Sequence, residues 1–237
     1  MIAVRKEWCK LARGHNSSLK VFLSSRNLSS QRMATRHRIK GVIFDMDGTL
    51  TVPVLDFAEM RRRVGVKEGD ILHVISSWPE EEKAAALSTI ETIEAEALEK
   101  TELMPHLESL CAFLDSKSVK RGLVTRNVQN SIDHFHNLFP LPAFSPALGR
   151  EFEPCKPDPA AILHICEKWD IPPEECVVVG DSLKHDVIAG KKAGAKTILL
   201  DSGSNYLSSE IDTSQRPDYF TLSLLEVHEI FKSEFII

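Results

Sequence analysis

Four short apolar runs, each broken by a polar tip and separated by helical periodicity, constrain this chain more than any other feature. Residues 39–44 (IKGVIF) close on Asp45-Met46-Asp47-Gly48-Thr49, 121–124 on Thr125, 176–179 on Gly180-Asp181, and 196–200 on Asp201. Runs of this length and apolarity read as buried strands. Helical patterns cover 105–115, 158–169 and 182–193, the second with Ile162, Ile165, Cys166 and Trp169 on one face. Alternating strands and helices predict an α/β fold, a Rossmann-like parallel sheet with helices on both faces. The polar tips then fall at the carboxyl ends of the strands, where open α/β sheets place their ligands.

Between residues 53 and 103 the strand pattern disappears. Stretches 56–64, 69–76 and 79–100 read as helices, the last with Leu87, Ile90, Ile93 and Leu98 as an apolar stripe. Such a length exceeds any ordinary connection and predicts a small α-helical cap inserted after the first strand. The expected organisation is therefore a basic extension over 1–36, an α/β core from 37–52 and 104–237, and a helical cap over 53–103. Near the end, Tyr219-Phe220 and a helical 222–231 predict an edge strand and a closing helix.

Composition narrows the class further. With 237 residues, 43% of them apolar and 27% charged, the chain has the makeup of an ordinary soluble globular protein with a core large enough to need no staples. Five scattered cysteines (Cys9, Cys111, Cys155, Cys166, Cys176) form no CxxC pair and suit a reducing compartment. No apolar run is long enough to span a bilayer. Charge is unevenly placed: residues 1–40 hold ten Lys or Arg and one acid, and the remainder 19 basic and 33 acidic residues. The acidic body argues against nucleic-acid binding through general electrostatics. Residues 1–36 are basic and serine-rich, and Val4, Trp8, Leu11 and Ala12 share one side of a helical wheel opposite Lys6, Lys10 and Arg13. This composition predicts a transit peptide for a mitochondrion or chloroplast, a disordered basic tail being the alternative. Met33 could start a cytosolic form.

The polar tips carry the chemistry. Asp45 and Asp47, two apart at a strand end, point to the same side, so one can attack or bind metal while the other handles a proton. A DxD by itself is more often a turn, with Gly48 to make it. Thr125 and Asn127 offer a hydroxyl and an amide that either hold phosphate oxygens or cap the next helix. Lys156 lies between Pro154 and Pro157, which stiffen its presentation, and Asp158 can cap the helix that follows. Asp181 and Asp186 supply carboxylates that suit a hard cation such as Mg²⁺, or else serve as a helix N-cap and a solvated helix residue.

Taken together, DMDGT, the Thr125 tip, Lys156 and the GDSLKHD segment resemble the haloacid dehalogenase-like hydrolase superfamily over roughly residues 38–232, and within it the phosphoglycolate-phosphatase-like branch. The resemblance implies a phosphatase acting through a phosphoaspartate, with Asp45 as nucleophile and Asp47 as acid and base. It implies phosphate binding by Thr125, Asn127 and Lys156. Mg²⁺ would be held by Asp45, the main-chain carbonyl of Asp47 and Asp181, with Asp186 supporting the metal waters or Lys156. Asp47 argues against dehalogenation, which has no use for an acid there. The implied partner is a small phosphorylated metabolite, with monomer and homodimer both open. A phosphomutase of the same fold and an idle binding protein are the competing readings.

Other residues carry weaker signals. His134 and His136 read as surface histidines, and Arg61-Arg62-Arg63 as a solvated helix face with anion recognition as the alternative. Trp78 either lines the cap mouth or packs at a helix boundary. Cys155, beside Lys156, is a candidate redox-sensitive thiol.

Overall fold

The computed structural model describes residues 36–54, 57–206 and 211–237. The import-signal reading of the basic extension lies almost wholly outside them, as do Cys9 and the side chain of Leu98.

The four expected strands form the centre of a six-stranded, all-parallel sheet. In chain order the strands are β1 (His37–Arg38), β2 (Gly41–Phe44), β3 (Lys120–Val124), β4 (Ala147–Leu148), β5 (Cys176–Gly180), β6 (Lys196–Leu200), β7 (Tyr219–Thr221) and β8 (Phe235–Ile236). The sheet runs β4-β3-β2-β5-β6-β7, and β1 pairs separately with β8 in a parallel two-stranded ribbon. The main sheet reverses direction of growth at β2, since β3 and β5 lie on its two sides. Ligands of open α/β sheets bind at such a switch point. The edge strand β4 and the ribbon are too short to leave a periodic signal in the sequence.

Alternation along each strand divides the core in two. Val42, Phe44, Val177 and Val179 face one layer with α4 (Leu107–Ser116), α5 (Gln129–Leu138) and α8 (Leu224–Ser233). Ile43, Val124, Cys176 and Val178 face the other, with α6 (Ala160–Trp169) and α7 (Ile188–Ala193). Both sheet faces are thus covered by helices, as the unbroken apolar runs require.

Three helices stand between β2 and α4: α1 (Phe57–Val64), α2 (Ile71–Ser76) and α3 (Glu80–Leu98). They bury their own apolar cluster of Met60, Val66, Ile71, Ile75, Ala86, Ile90 and Ile93, against which Trp78 and Leu87 pack. Trp78 is therefore a packing residue of the insert. No helix among the described residues is long and apolar enough to cross a membrane. Cys111, Cys155, Cys166 and Cys176 are free.

Candidate active site

The carboxyl end of β2 delivers the first polar segment. Asp45 N donates to the carbonyl of Val179 on β5, which extends the ladder one residue and fixes where the Asp45 side chain leaves the sheet. The chain then turns tightly, with the backbone N–H groups of Thr49, Leu50 and Thr51 all reaching the carbonyl of Met46. Gly48 sits in this turn at φ +76°, a conformation that favours glycine. Any Cβ there would also collide with the Asp181 carboxylate, so the two segments approach as closely as backbone allows. The DxD segment thus makes a turn, and both of its carboxylates line the cavity described below.

Lys156 joins three segments. Its ammonium, 6% exposed as a residue, donates to Asp45 Oδ1 and Asp186 Oδ1, each at 2.5 Å, and to the Val124 carbonyl at 2.8 Å. All three donors of the head group are satisfied, which is what a buried charge requires. Burial alone would favour the neutral amine, but the Asp186 and Asp45 carboxylates outweigh it and raise its proton affinity. Asp158 accepts from Ala160 N at 3.0 Å, which anchors the start of α6 as expected.

The segment after β5 departs from an ordinary helix start. Leu183–Val187 form a π-type turn whose N-terminal Ser182 hydroxyl accepts from His185 N. The cap is thus Ser182, leaving Asp181 free to face the site. Asp186 is 2% exposed and also accepts from Ser182 N at 3.0 Å, so it is not a solvated helix residue. A Cβ at Gly180 would strike the Asp186 side chain, which makes glycine the residue that admits this carboxylate.

Thr125 and Asn127 do not cap α5, whose N-terminal residue Val128 makes no side-chain cap. Thr125 Oγ1 accepts from Asn127 N at 3.2 Å, which leaves its own proton free to donate. Asn127 Nδ2 donates to Asp47 Oδ2 at 2.7 Å, and Thr51 Oγ1 donates to Asp47 Oδ1 at 3.3 Å. The Asn127 amide therefore holds Asp47 and also lines the cavity.

Electrostatics separates the carboxylates. Burial pushes Asp45 well above the usual carboxylate range, against the pull of Lys156. Burial also raises Asp47, only partly opposed by the Asn127 and Thr51 hydrogen bonds. Asp181 is pushed up to about 7 by burial and by the neighbouring Asp186 charge. Carboxylate oxygens of Asp45, Asp181 and Asp186 lie within 4.8 Å of one another. Crowding like charges in this way makes a proton or a cation the natural occupant, and an all-oxygen donor set fits a hard divalent ion.

The insert and these tips together line an open cavity of about 390 Å³. Two arginines that the sequence reading missed bind the insert to the core. Arg126 makes a two-pronged pair with Asp70, both contacts at 2.8 Å. Arg150 does the same with Glu94 at 3.0 and 3.2 Å. His185 Nε2 lies 3.1 Å from Arg126 Nη1, and burial together with that guanidinium lowers its pKa to about 4. Arg126 was exposed to recognition by its place between Thr125 and Asn127, and Asp70 by its place before α2. Glu94 and Arg150 are 56 positions apart and carry no local signal.

Three further expectations are corrected. Arg62 and Arg63 pair with Glu59 and Glu96 on an exposed face, but Arg61 is half-buried and lines the cavity. His136 is no surface residue: its Nε2 accepts from Phe144 N and its ring stacks on Phe144. His134 is likewise half-buried, and neither belongs to the carboxylate cluster. Cys155 has its thiol pKa raised by burial, the opposite of a reactive thiolate.

A parallel α/β sheet carries these carboxylates and a buried lysine at its switch point, and comparison with known proteins supplies the class. The sequence profile described as haloacid dehalogenase-like hydrolase matches residues 53–194. A haloacid dehalogenase-like hydrolase domain-containing protein of Arabidopsis thaliana is 45% identical over 226 residues, 90% of this chain and 91% of the relative. Phosphoglycolate phosphatase of Escherichia coli is 26% identical, covering 78% of this chain and 90% of the relative. A putative phosphoglycolate phosphatase from Lactobacillus plantarum shares the fold, with a TM-score of 0.65 and 21% identity over 82% of this chain and all of the other. The chain belongs to the haloacid dehalogenase-like hydrolases, is similar to their phosphoglycolate-phosphatase-like members, and is an enzyme of the phosphatase kind.

Proposed function

We propose that this chain is a Mg²⁺-dependent phosphatase that hydrolyses a small phosphorylated metabolite through a phosphoaspartate on Asp45. The observation that carries this reading is the pairing of Asp45 with Lys156 at 2.5 Å on the cavity floor, with Asp47 held alongside by Asn127. In the first step an Asp45 carboxylate oxygen attacks phosphorus while the bond from phosphorus to the alcohol oxygen breaks. Asp47, whose proton affinity burial has raised, gives its proton to that departing oxygen. In the second step Asp47, now a carboxylate, takes a proton from water as the water oxygen attacks phosphorus. The Asp45 carboxylate and inorganic phosphate leave.

In this reading the Thr125 hydroxyl holds a phosphoryl oxygen, and the Lys156 ammonium turns one N–H from Asp45 to another phosphoryl oxygen as the ester binds. Mg²⁺ would be held by Asp45, Asp181 and the main-chain carbonyl of Asp47, with Asp186 tied to Lys156. When bound, the ion supplies positive charge that offsets charge on the transferring phosphoryl group. The basic extension is proposed as an organelle import signal; a native protein whose first residue is Met1 would overturn that part.

The test is steady-state phosphate release from p-nitrophenyl phosphate with and without Mg²⁺, beside Asp45→Asn. The expected result is metal-dependent turnover that falls at least about a thousandfold in the variant, since the nucleophile acts as a unit with its neighbours. Turnover unaffected by Asp45→Asn would overturn the phosphoaspartyl route.

A further inference from the structure

We propose that the loop after β6 is a substrate wall supplied by the core: Tyr206 and Asn205 bind an uncharged hydroxyl on the alcohol of the phosphomonoester, and Asp201 is the positioning residue that presents them. This rests on the phosphatase reading of Asp45 and Asp47 and specifies the substrate of that same site.

Asp201 ends the fourth of the apolar runs, yet its carboxylate does not face the reaction. It is 2% exposed and lies outside both the carboxylate cluster and the cavity lining. Its Oδ1 accepts from Asn205 N at 2.7 Å and its Oδ2 from Tyr206 N at 2.9 Å, while its carbonyl accepts from Ser204 N at 3.0 Å. Asp201 N donates in turn to the carbonyl of Thr221 on β7, which ties this anchor to the sheet. Ser204 is held at φ +57°, a left-handed conformation unfavourable to a residue with a side chain. A buried charge is costly unless it is hydrogen-bonded, and here the bonding goes to the backbone of two successive residues. Those two, Asn205 and Tyr206, are the described residues of the loop that line the cavity.

Both side chains offer surface to an occupant, Asn205 being exposed and Tyr206 half-buried. Among the described residues the Asn205 amide makes no hydrogen bond, so its oxygen can accept and its NH₂ group can donate. Burial raises the Tyr206 pKa, opposed in part by a hydrogen bond with the Leu183 main chain, and the Asp181 carboxylate raises it further. The phenol is thus a neutral donor close to the tip of β5. Charge decides what this wall takes. Arg126 and Arg150, which also line the cavity, are engaged in two-pronged pairs with Asp70 and Glu94. A carboxylate arm on the alcohol would have to displace one of those acids to reach a guanidinium. A hydroxyl, donor and acceptor at once, pairs with an amide and a phenol without any such exchange. A site built to hydrogen-bond a substrate hydroxyl also rejects the analogue that lacks it, because its polar groups are then left unpaired.

The experiment compares kcat/KM of the full chain, in the presence of Mg²⁺, for glycerol 3-phosphate, propyl phosphate and 2-phosphoglycolate. Glycerol 3-phosphate, which adds hydroxyls to the carbon chain of propyl phosphate, is expected to exceed each of the other two by at least about tenfold. Tyr206→Phe and Asn205→Ala should each cut the glycerol-to-propyl ratio by about threefold or more, the loss of one hydrogen bond to substrate. Asp201→Asn, which weakens the grip on the two N–H groups without touching substrate, should lower the same ratio. A glycerol-to-propyl ratio near one, or a preference for 2-phosphoglycolate, overturns the substrate class while leaving the phosphatase reading intact. So does turnover of p-nitrophenyl phosphate with none of the three. A ratio unmoved in both Tyr206→Phe and Asn205→Ala overturns the wall whether or not the Asp201 variant folds, and a ratio unmoved in Asp201→Asn overturns its positioning role. Failure to turn over any of the three, together with p-nitrophenyl phosphate, overturns the phosphatase reading and the inference with it.

Discussion

The floor and the roof of the cavity are held by opposite means. On the floor, Lys156 satisfies every donor of its head group with Asp45, Asp186 and the Val124 carbonyl, and glycines at 48 and 180 let carboxylates approach backbone. Asp45, Asp47 and Asp186 are each held by at least one side chain from a different segment. The roof is three helices around a small apolar cluster of their own, joined to the floor at the cavity by two arginine–carboxylate pairs. Reaction chemistry needs fixed groups, because a displacement of 1 Å is costly to catalysis, whereas admission of a substrate needs an element that can part from its seat.

The largest effect should come from breaking the floor. Lys156→Met removes one cation and leaves Asp45 and Asp186 buried beside Asp181 without it. Removing one member of a buried ion pair costs roughly 3–5 kcal/mol, so urea unfolding at pH 7 should show a loss of that order. Millimolar Mg²⁺ should restore part of it, because a cation in the carboxylate cluster stabilises only the folded chain. Equal losses with and without the ion would separate the cluster from metal binding and break the contrast drawn between floor and roof.

The roof should respond less, and locally. Glu94→Gln keeps the shape and one acceptor for Arg150 but removes the charge from a pair whose side chains are 9% and 12% exposed. The expected cost is about 1–2 kcal/mol, since the pair is nearly buried but one hydrogen bond survives. Hydrogen exchange sharpens the test: amides of α1 to α3 should lose protection while those of β2, β3 and β5 keep it. A uniform loss would show that insert and core open as one unit.

How far the sequence discloses each half follows from the same physics. Strands buried on both faces must be apolar throughout, and their tips must change to polar residues, so Asp45, Thr125 and Asp181 stand out at the ends of their runs. Lys156 stands out through its prolines. The helical periodicity of the insert is equally plain, because its helices bury a stripe against one another. What one helix or strand tip offers another across the cavity has no periodic signature: Glu94–Arg150 and Arg126–Asp70 are contacts between segments 56 residues apart, and any charged residue on a helix face looks solvated until its partner is placed. Arg61 reads as solvated for that reason, and the alternative of a solvated Asp186 gives way to burial against Lys156 through a π-type turn that the GDSLKHD segment does not announce. His136 is a case of the same kind, since the backbone it accepts from lies eight residues on, in a loop without periodicity.

The smallest effect is the most diagnostic of charge. Asp70 caps α2 by accepting from His73 N and pairs with Arg126; burial pushes its pKa up, but the Arg126 and His73 hydrogen bonds prevail and hold it at about 2. Asp70→Asn keeps the cap, because Asn serves that position as well as Asp, and removes only the charge. The folded-state pKa lies below the unfolded value of about 3.9, so the ionised pair stabilises the fold fully above pH 4 or so. That contribution is lost as pH falls toward 2. With both side chains partly open to solvent, at 17% and 26%, the difference between wild type and variant should be no more than about 1–2 kcal/mol. Urea midpoints taken at pH 7, 5 and 3.5 should show the same difference at the first two and a smaller one at the third. A difference that stays constant down to pH 3.5 and below would mean that shape, and not charge, seats α2 against the Thr125 tip, and the roof would then differ from the floor in packing alone.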